Sequence, residues 1–135
     1  MVAFDSSFRI ACHNTRDVHH AAAAQAMSPL TAGRWDPVLL PEYVLLEVVT
    51  VLLIRRGLDV ASRVARVLLD AREVELVPCS PLFRDTVETF LGQTGSMLSF
   101  ADATIVTLAE RRGARFVATF DNDFRGVSSV AVVPD

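Results

Sequence analysis

The chain has 135 residues, 51% of them hydrophobic, and a formal net charge of -3 from 13 basic and 16 acidic side chains. Every basic residue is Arg, so chemistry that needs lysine is excluded: a phosphate-loop lysine, a Schiff base, or the lysine partner of an acidic phosphoacceptor. The negative balance also excludes a broad basic nucleic-acid surface, so any nucleic acid must be held by local Arg clusters and bound metal.

The length fits one domain with one sizeable core. The mean hydropathy of +0.36 is high for such a chain, which implies a large interior and some apolar surface covered by a partner. No apolar stretch reaches the ~18 residues of a membrane span, and Glu47 interrupts the longest one. Met1 to Asp5 has no basic leader, so no signal peptide is expected. Cys12 and Cys79 fall short of a disulfide framework or a zinc site. A cytoplasmic location with reduced, buried thiols is expected.

In chain order, Val2-Ala3-Phe4-Asp5 reads as a short buried strand, with Ser6 or Ser7 as cap of the helix that follows. Asp17 reads as the N-cap of an Ala-rich helix to about Met27, and Pro29, Gly33 and Pro37 punctuate a loop containing Trp35, a loop-packing or partner-contacting residue. Val38-Leu39-Leu40 is a second strand, and Pro41 suits the first turn of a helix that Gly57 stops after Arg55-Arg56. A helix from Asp59 to Arg72 carries Val60, Val64, Val67 and Leu68 on one face, and a third strand follows over 74–78. Helices over Pro81 to Leu91 and Phe100 to Arg112 stop at Gly92 and Gly113, and strands at 116–119 and 130–133 complete the chain. Helices separating most pairs of strands imply a parallel α/β sheet covered on both faces.

Four acids stand out. Asp5 and Asp121 fall at the carboxyl ends of expected strands, where open parallel sheets gather their ligands. Glu47 lies about two turns into an otherwise apolar helix, and Asp102 in the first turn of another. Each has a plainer reading: Asp5 as a helix cap, Asp102 as an early-turn residue favoured by the helix dipole, Asp121 and Asp123 as turn acids beside Asn122. Glu47 has the weakest such reading, because burying a carboxylate costs several kcal/mol without compensation. Together they point to a hard divalent cation, Mg²⁺ or Mn²⁺, which would relieve their repulsion and activate water for phosphoryl transfer.

Asp5-Ser6-Ser7 after an opening strand, Glu47 in the helix after the second, Phe100-Ala101-Asp102-Ala103 and Thr119-Phe120-Asp121-Asn122-Asp123-Phe124 resemble the PIN-domain nucleases in order and spacing. The resemblance covers nearly the whole chain, and is strongest to the VapC toxins of toxin–antitoxin pairs, whose recurring segments Asp17-Val18-His19-His20 also resembles. It implies a PIN-like three-layer α/β/α fold with sheet order 3-2-1-4-5, a Mg²⁺- or Mn²⁺-dependent endoribonuclease, and a cognate antitoxin. By position, Asp5, Glu47, Asp102 and Asp121 would be the catalytic and metal-binding acids, with Asp123 sharing or replacing the role of Asp121. Ser7 and Thr119 would be hydroxyls that orient carboxylates. Ser6 stands where the family often has Thr, a mild departure.

Arg9, Arg16, Arg111, Arg112 and Arg125 are candidates for holding phosphate, each against the plainer reading of a solvated face. His13, His19 and His20 lack zinc spacing and read as surface helix residues. The apolar helices from Tyr43 to Ile54 and from Leu58 to Leu69 are expected to leave surface for a homodimer and for antitoxin. The alternative is a non-catalytic PIN-like structural or interaction module.

Overall fold

The computed structural model describes residues 1–34 and 37–134; the expectation for Trp35 lies outside the described residues. Five strands form one sheet: β1 (Val2–Phe4), β2 (Val38–Pro41), β3 (Val74–Val77), β4 (Phe116–Ala118) and β5 (Ala131–Val133). All neighbours run parallel, in the order β3-β2-β1-β4-β5. Every residue of β1 and β2 is buried, as expected of central parallel strands with both faces covered. The edge strands β3 and β5 are largely exposed or half-buried, with Val77 the buried end of β3. This is the three-layer α/β/α arrangement and sheet order expected.

Six helices surround the sheet: α1 (Ser6–His13), α2 (His20–Thr31), α3 (Glu42–Arg56), α4 (Leu58–Asp70), α5 (Phe83–Leu91) and α6 (Phe100–Arg112). Among the described residues no helix is long and apolar enough to cross a membrane. In α6 every residue from Asp102 to Ala109 is buried, so it runs through the interior and packs against β1, α3 and α5. The core joins Phe4, Phe8, Leu39, Leu40, Val48, Leu52, Ile105, Leu108 and Phe124.

Several local expectations shift. Asp5, rather than Ser6 or Ser7, caps α1: its carboxylate accepts from the Ser6 amide. Asp17 does not cap α2, which starts at His20; its Oδ1 accepts from the His19 amide in the preceding turn. Pro29 lies inside α2, in its last turn, where it supplies no amide donor, and the chain turns at Gly33 with φ 76°. Pro41 closes β2 and precedes α3 instead of entering it. Ser80–Leu82 form a 3-10 turn before α5, since Pro81 suits a first turn but the chain is still leaving β3. Gly57 stops α3 as expected, at φ 87°, and leads directly into α4. Gly113 ends α6 in the left-handed conformation, φ 70°.

Phe8 is fully buried between Phe4 and Phe120, with ring centroids 5.2 and 5.7 Å away. Phe8→Ala is expected to cost about 3–5 kcal/mol in urea unfolding. A loss under about 1 kcal/mol would mean that this column is not a core element.

Candidate active site

A parallel sheet whose order reverses direction leaves a crevice at the carboxyl ends of the strands flanking the reversal. Here the chain builds outward from β1 to β2 and β3, then returns to place β4 on the other side of β1. The crevice must therefore open beyond Phe4 and Ala118. Asp5 and Thr119 are the next residues, and the ladder continues one step as the Asp5 amide donates to the Ala118 carbonyl at 3.0 Å.

Asp5 is 2% exposed. Its Oδ1 accepts from the Ser6 amide at 2.7 Å, and its Oδ2 from the Ser7 and Thr119 hydroxyls, each at 2.6 Å. Each hydroxyl also accepts a backbone amide from the loop after β4: Phe120 to Ser7 Oγ and Asp121 to Thr119 Oγ1, both at 2.9 Å. Hydroxyls that accept from the loop and donate to Asp5 fix the carboxylate and the loop together. Ser7 and Thr119 thus hold the Asp5 carboxylate in one orientation.

The other acids arrive from separate elements. On α3, Val44, Val48 and Leu52 face the core, while Glu47, Val51 and Arg55 form a neighbouring stripe that lines the crevice. Asp102, 8% exposed, is the third residue of α6, where it forms a capping box with Ser99: its amide donates to Ser99 Oγ at 3.2 Å and its carboxylate accepts from the Ser99 amide at 3.4 Å. Asp102 is thus the early-turn residue of the plainer reading, and the same side chain lines the cleft. Asp121 is half-buried and caps the 3-10 turn over Asn122–Gly126. The resulting cleft, about 290 Å³, is lined by Asp5, Glu47, Asp102 and Asp121, together with Ser6, Ser7, Ile10, Asp17, His19, Val51 and Arg55. Asp123 is exposed and is not one of the lining residues; its amide donates to Asp121 Oδ1 at 2.9 Å.

The electrostatics are uneven. Burial, then the nearby Asp5 charge and more weakly that of Glu47, push the Asp102 carboxyl up to about 7, against the opposing bonds from Ser99. Burial also raises Glu47, with Asp5 and Asp121 adding to the shift and a hydrogen bond with Ser6 opposing it. Glu47 Oε2 is buried without a hydrogen-bond partner. Hard oxygen donors, an orphaned carboxylate oxygen and mutual repulsion fit a hard divalent cation. Among the described residues, however, no three His, Cys, Asp or Glu side chains already stand close enough to grip one.

The expected phosphate-holding arginines lie elsewhere. Arg9 is 5% exposed, its guanidinium 4.2 Å from the centre of the Phe4 ring, and burial lowers it to about 10. Arg111 pairs with Asp85, and Arg112 makes two bonds to Glu75, at 2.8 and 2.9 Å. Arg16 and Arg125 are outside the cleft lining. Arg55 is the arginine that lines it, and its signal in the sequence was the spacing of two helical steps of four from Glu47. Asp17 and His19 were also missed as cleft residues. His19 precedes α2 and stacks on Phe120, while His20 Nδ1 donates to the Ala11 carbonyl at 2.7 Å. His13, at the end of α1, is largely buried and pushed down to about 4 by burial and by Arg9.

Asp102 gives a pH prediction. It binds its proton more tightly in the fold, at about 7, than at the unperturbed value of 3.8. The folded chain then carries the extra proton between those values, so this group's contribution to stability falls as pH rises from about 4 to 7 and the penalty is complete above that. Asp102→Asn keeps an acceptor for the Ser99 amide without the charge. In EDTA it should be more stable than wild type at pH 8, by on the order of 1–2 kcal/mol, and equal at pH 4. Urea denaturation at both pH values checks the sign; a variant less stable at pH 8 would overturn it.

Comparisons with known proteins bear on the fold and the family. The structure resembles the crystal structure of VapC20 from Mycobacterium tuberculosis, a toxin that cleaves the sarcin-ricin loop, at 26% identity and a TM-score of 0.83 over 95% of each chain. It also shares the fold of FitAcB from Neisseria gonorrhoeae, at 15% identity and a TM-score of 0.64, covering 98% of this chain and 96% of that one. A search of curated proteins by sequence finds no match. The PIN domain family model matches residues 2–130, and the chain belongs to that family.

Proposed function

We propose that this protein is a Mg²⁺- or Mn²⁺-dependent endoribonuclease, the toxin of a toxin–antitoxin pair. The observation that carries this reading is the meeting of Asp5, Glu47, Asp102 and Asp121, from four separate segments, in one cleft at the sheet's reversal point. Family membership and the likeness to a toxin that cleaves the sarcin-ricin loop support it.

Asp5, Glu47, Asp102 and Asp121 would hold the cation. Once bound, such an ion supplies an activated water and neutralises charge on the phosphoryl oxygens. The chain's own part is positioning. Ser7 and Thr119 keep Asp5 in one orientation, so its carboxylate needs no reorganisation when substrate arrives. Burial and neighbouring carboxylates disfavour the charged forms of Glu47 and Asp102, a cost that a cation bound between them would relieve. Arg55 supplies a guanidinium at the cleft for a phosphate oxygen, offsetting repulsion between the strand and the acids.

Cleavage of structured RNA should require Mg²⁺ or Mn²⁺ and stop in EDTA. Asp5→Asn and Asp102→Asn should lose about 100-fold or more in rate, in line with removing a group that stabilises developing charge, and Asp102→Asn should do so while staying folded. Asp121→Asn should cost much more than Asp123→Asn. Calorimetric titration of Mn²⁺ provides a second measure: equal affinity in wild type, Asp5→Asn and Asp102→Asn would remove the metal-site reading. If wild type cuts no RNA from a broad panel, the non-catalytic interaction module becomes the better account.

The partners follow from apolar surface. On α3, Leu46 and Leu53 are exposed and Ile54 is 79% exposed; Leu58, Val67 and Leu69 of α4 are exposed as well. Leaving such side chains in water is costly in aggregate, and a homodimer or the cognate antitoxin would cover them. Light scattering at about tens of micromolar, where standard interfaces persist, should give a dimer. Replacing both Leu53 and Ile54 with Glu should yield a monomer or abolish capture of the antitoxin, and no change in either would count against this face.

A further inference from the structure

The aromatic column that begins in the core ends in the cleft. Phe4 and Phe8 are buried; Phe120 lies 5.7 Å from Phe8 at an interplanar angle of 20°; and His19 lies 4.4 Å from Phe120 at 6°. The last ring of the stack is exposed, yet it lines the same cleft as Asp5, Asp121 and Arg55. We infer that His19, backed by Phe120, is the stacking platform for an RNA base next to the phosphate at the acidic centre. This rests on the ribonuclease reading above and adds to it a residue that positions the substrate.

Three features make the platform rigid and put it in register with the acids. The Phe120 amide donates to Ser7 Oγ, the same hydroxyl that donates to Asp5, so the platform and the central carboxylate share an anchor. The His19 amide donates to Asp17 Oδ1 at 2.8 Å, and its carbonyl accepts from the Ala23 amide at 2.9 Å. The next residue, His20, ties the turn to the end of α1 through the Ala11 carbonyl. A ring held this firmly loses little entropy when a second flat ring is laid on it.

The chemistry favours a base as the occupant. An exposed residue contributes little to stability, so a near-parallel stack on Phe120 is not needed by the core. A strand whose phosphate enters a narrow acidic cleft must unstack the neighbouring base, and that base needs a new π-face. Beyond Phe120, a second hollow of about 410 Å³ is lined by Ala22, Gln25, Ala26, Phe120 and Pro134, with no charged side chain among them. A strand passing His19 therefore meets small, apolar and amide groups rather than further carboxylates. Stacking reads shape more than sequence, so this platform would place the strand and leave target choice to other contacts.

The test uses the full chain carrying Asp102→Asn to halt cleavage, which leaves Ser7, Phe120 and His19 unaltered. Short single-stranded RNAs with one 2-aminopurine, moved base by base, are titrated in Mn²⁺. One position should show strong fluorescence quenching on binding. Adding His19→Ala should abolish the quenching and weaken binding about tenfold, within the range a single base–aromatic stack supplies. His19→Phe should restore both. In the otherwise wild-type enzyme, His19→Ala should raise KM about tenfold with kcat little changed, and its thermal melting should match wild type. Unchanged quenching and affinity in His19→Ala would overturn the inference, and would do so even if the wild type cleaves RNA. Position-specific quenching with no cleavage by any wild-type preparation would uphold the platform while removing the ribonuclease reading. Wild type that binds none of the oligonucleotides would remove both.

Discussion

The structure depends most on the bonds accepted by one buried carboxylate. Asp5 sits at the point where the sheet reverses direction, and it takes donors from both strands that meet there: the Ser6 amide and Ser7 hydroxyl after β1, and the Thr119 hydroxyl after β4. Each hydroxyl has one proton, and at 2.6 Å both protons go to Asp5. The 3.1 Å approach of Ser7 Oγ to Thr119 Oγ1 is then a consequence of convergence and adds no further bond. The same oxygens accept the amides of Phe120 and Asp121, so the direction of the loop after β4 follows from where Asp5 points. A charge that would be costly if buried alone becomes the pin between distant segments.

That arrangement divides the acids into two kinds. Asp5 is held by three short hydrogen bonds and acts as a fixed reference. Glu47 and Asp102 are shielded from water with fewer compensating bonds, and both are driven toward protonation by burial and by their neighbours. A sequence selected for stability alone would place amides or aliphatic side chains at these positions. Their retention within an otherwise apolar interior is a local conflict of the kind that marks functional sites. α6 sharpens the point, because Asp102 enters the cleft from a helix buried for eight consecutive residues, Asp102 to Ala109.

What the sequence disclosed and what it hid divide along the range of the interactions involved. Strands β1, β2 and β4, the stops at Gly57 and Gly113, and the four acids could be read because each rests on a local pattern: an apolar run, a glycine after a helix, a carboxylate where carboxylates are rare. Ser7 and Thr119 were named only through family likeness: the Thr119–Asp5 bond spans 114 positions, and although Ser7 reaches Asp5 from two positions away, its tie to the Phe120 amide spans 113. Asp17 was misjudged because an acid that accepts from an amide two residues on satisfies a turn as readily as a helix start. Arg9 was misjudged for a related reason: a charged residue on a short helix reads as exposed, but α1 is covered on the side where Arg9 meets the Phe4 ring. His19 was hidden because its partner Phe120 is a hundred residues away in the chain.

Helix α3 explains why apolar content alone was an ambiguous guide. Its hydrophobic residues surround the helix rather than forming one stripe, and a pattern of that kind is ordinarily a sign of complete burial. Here it reflects three separate surfaces. Val44, Val48 and Leu52 are buried in the core; Leu46, Leu53 and Ile54 are exposed; Glu47, Val51 and Arg55 form the wall of the cleft between them. The cleft acid and the cleft arginine on that helix, Glu47 and Arg55, share the third stripe, two turns apart, so opposite charges face a single crevice from one rigid element. A partner seated on the exposed stripe would therefore sit about one helix diameter from the acids. A partner on the apolar face would thus border the cleft across the width of α3, with both surfaces carried by one rigid helix.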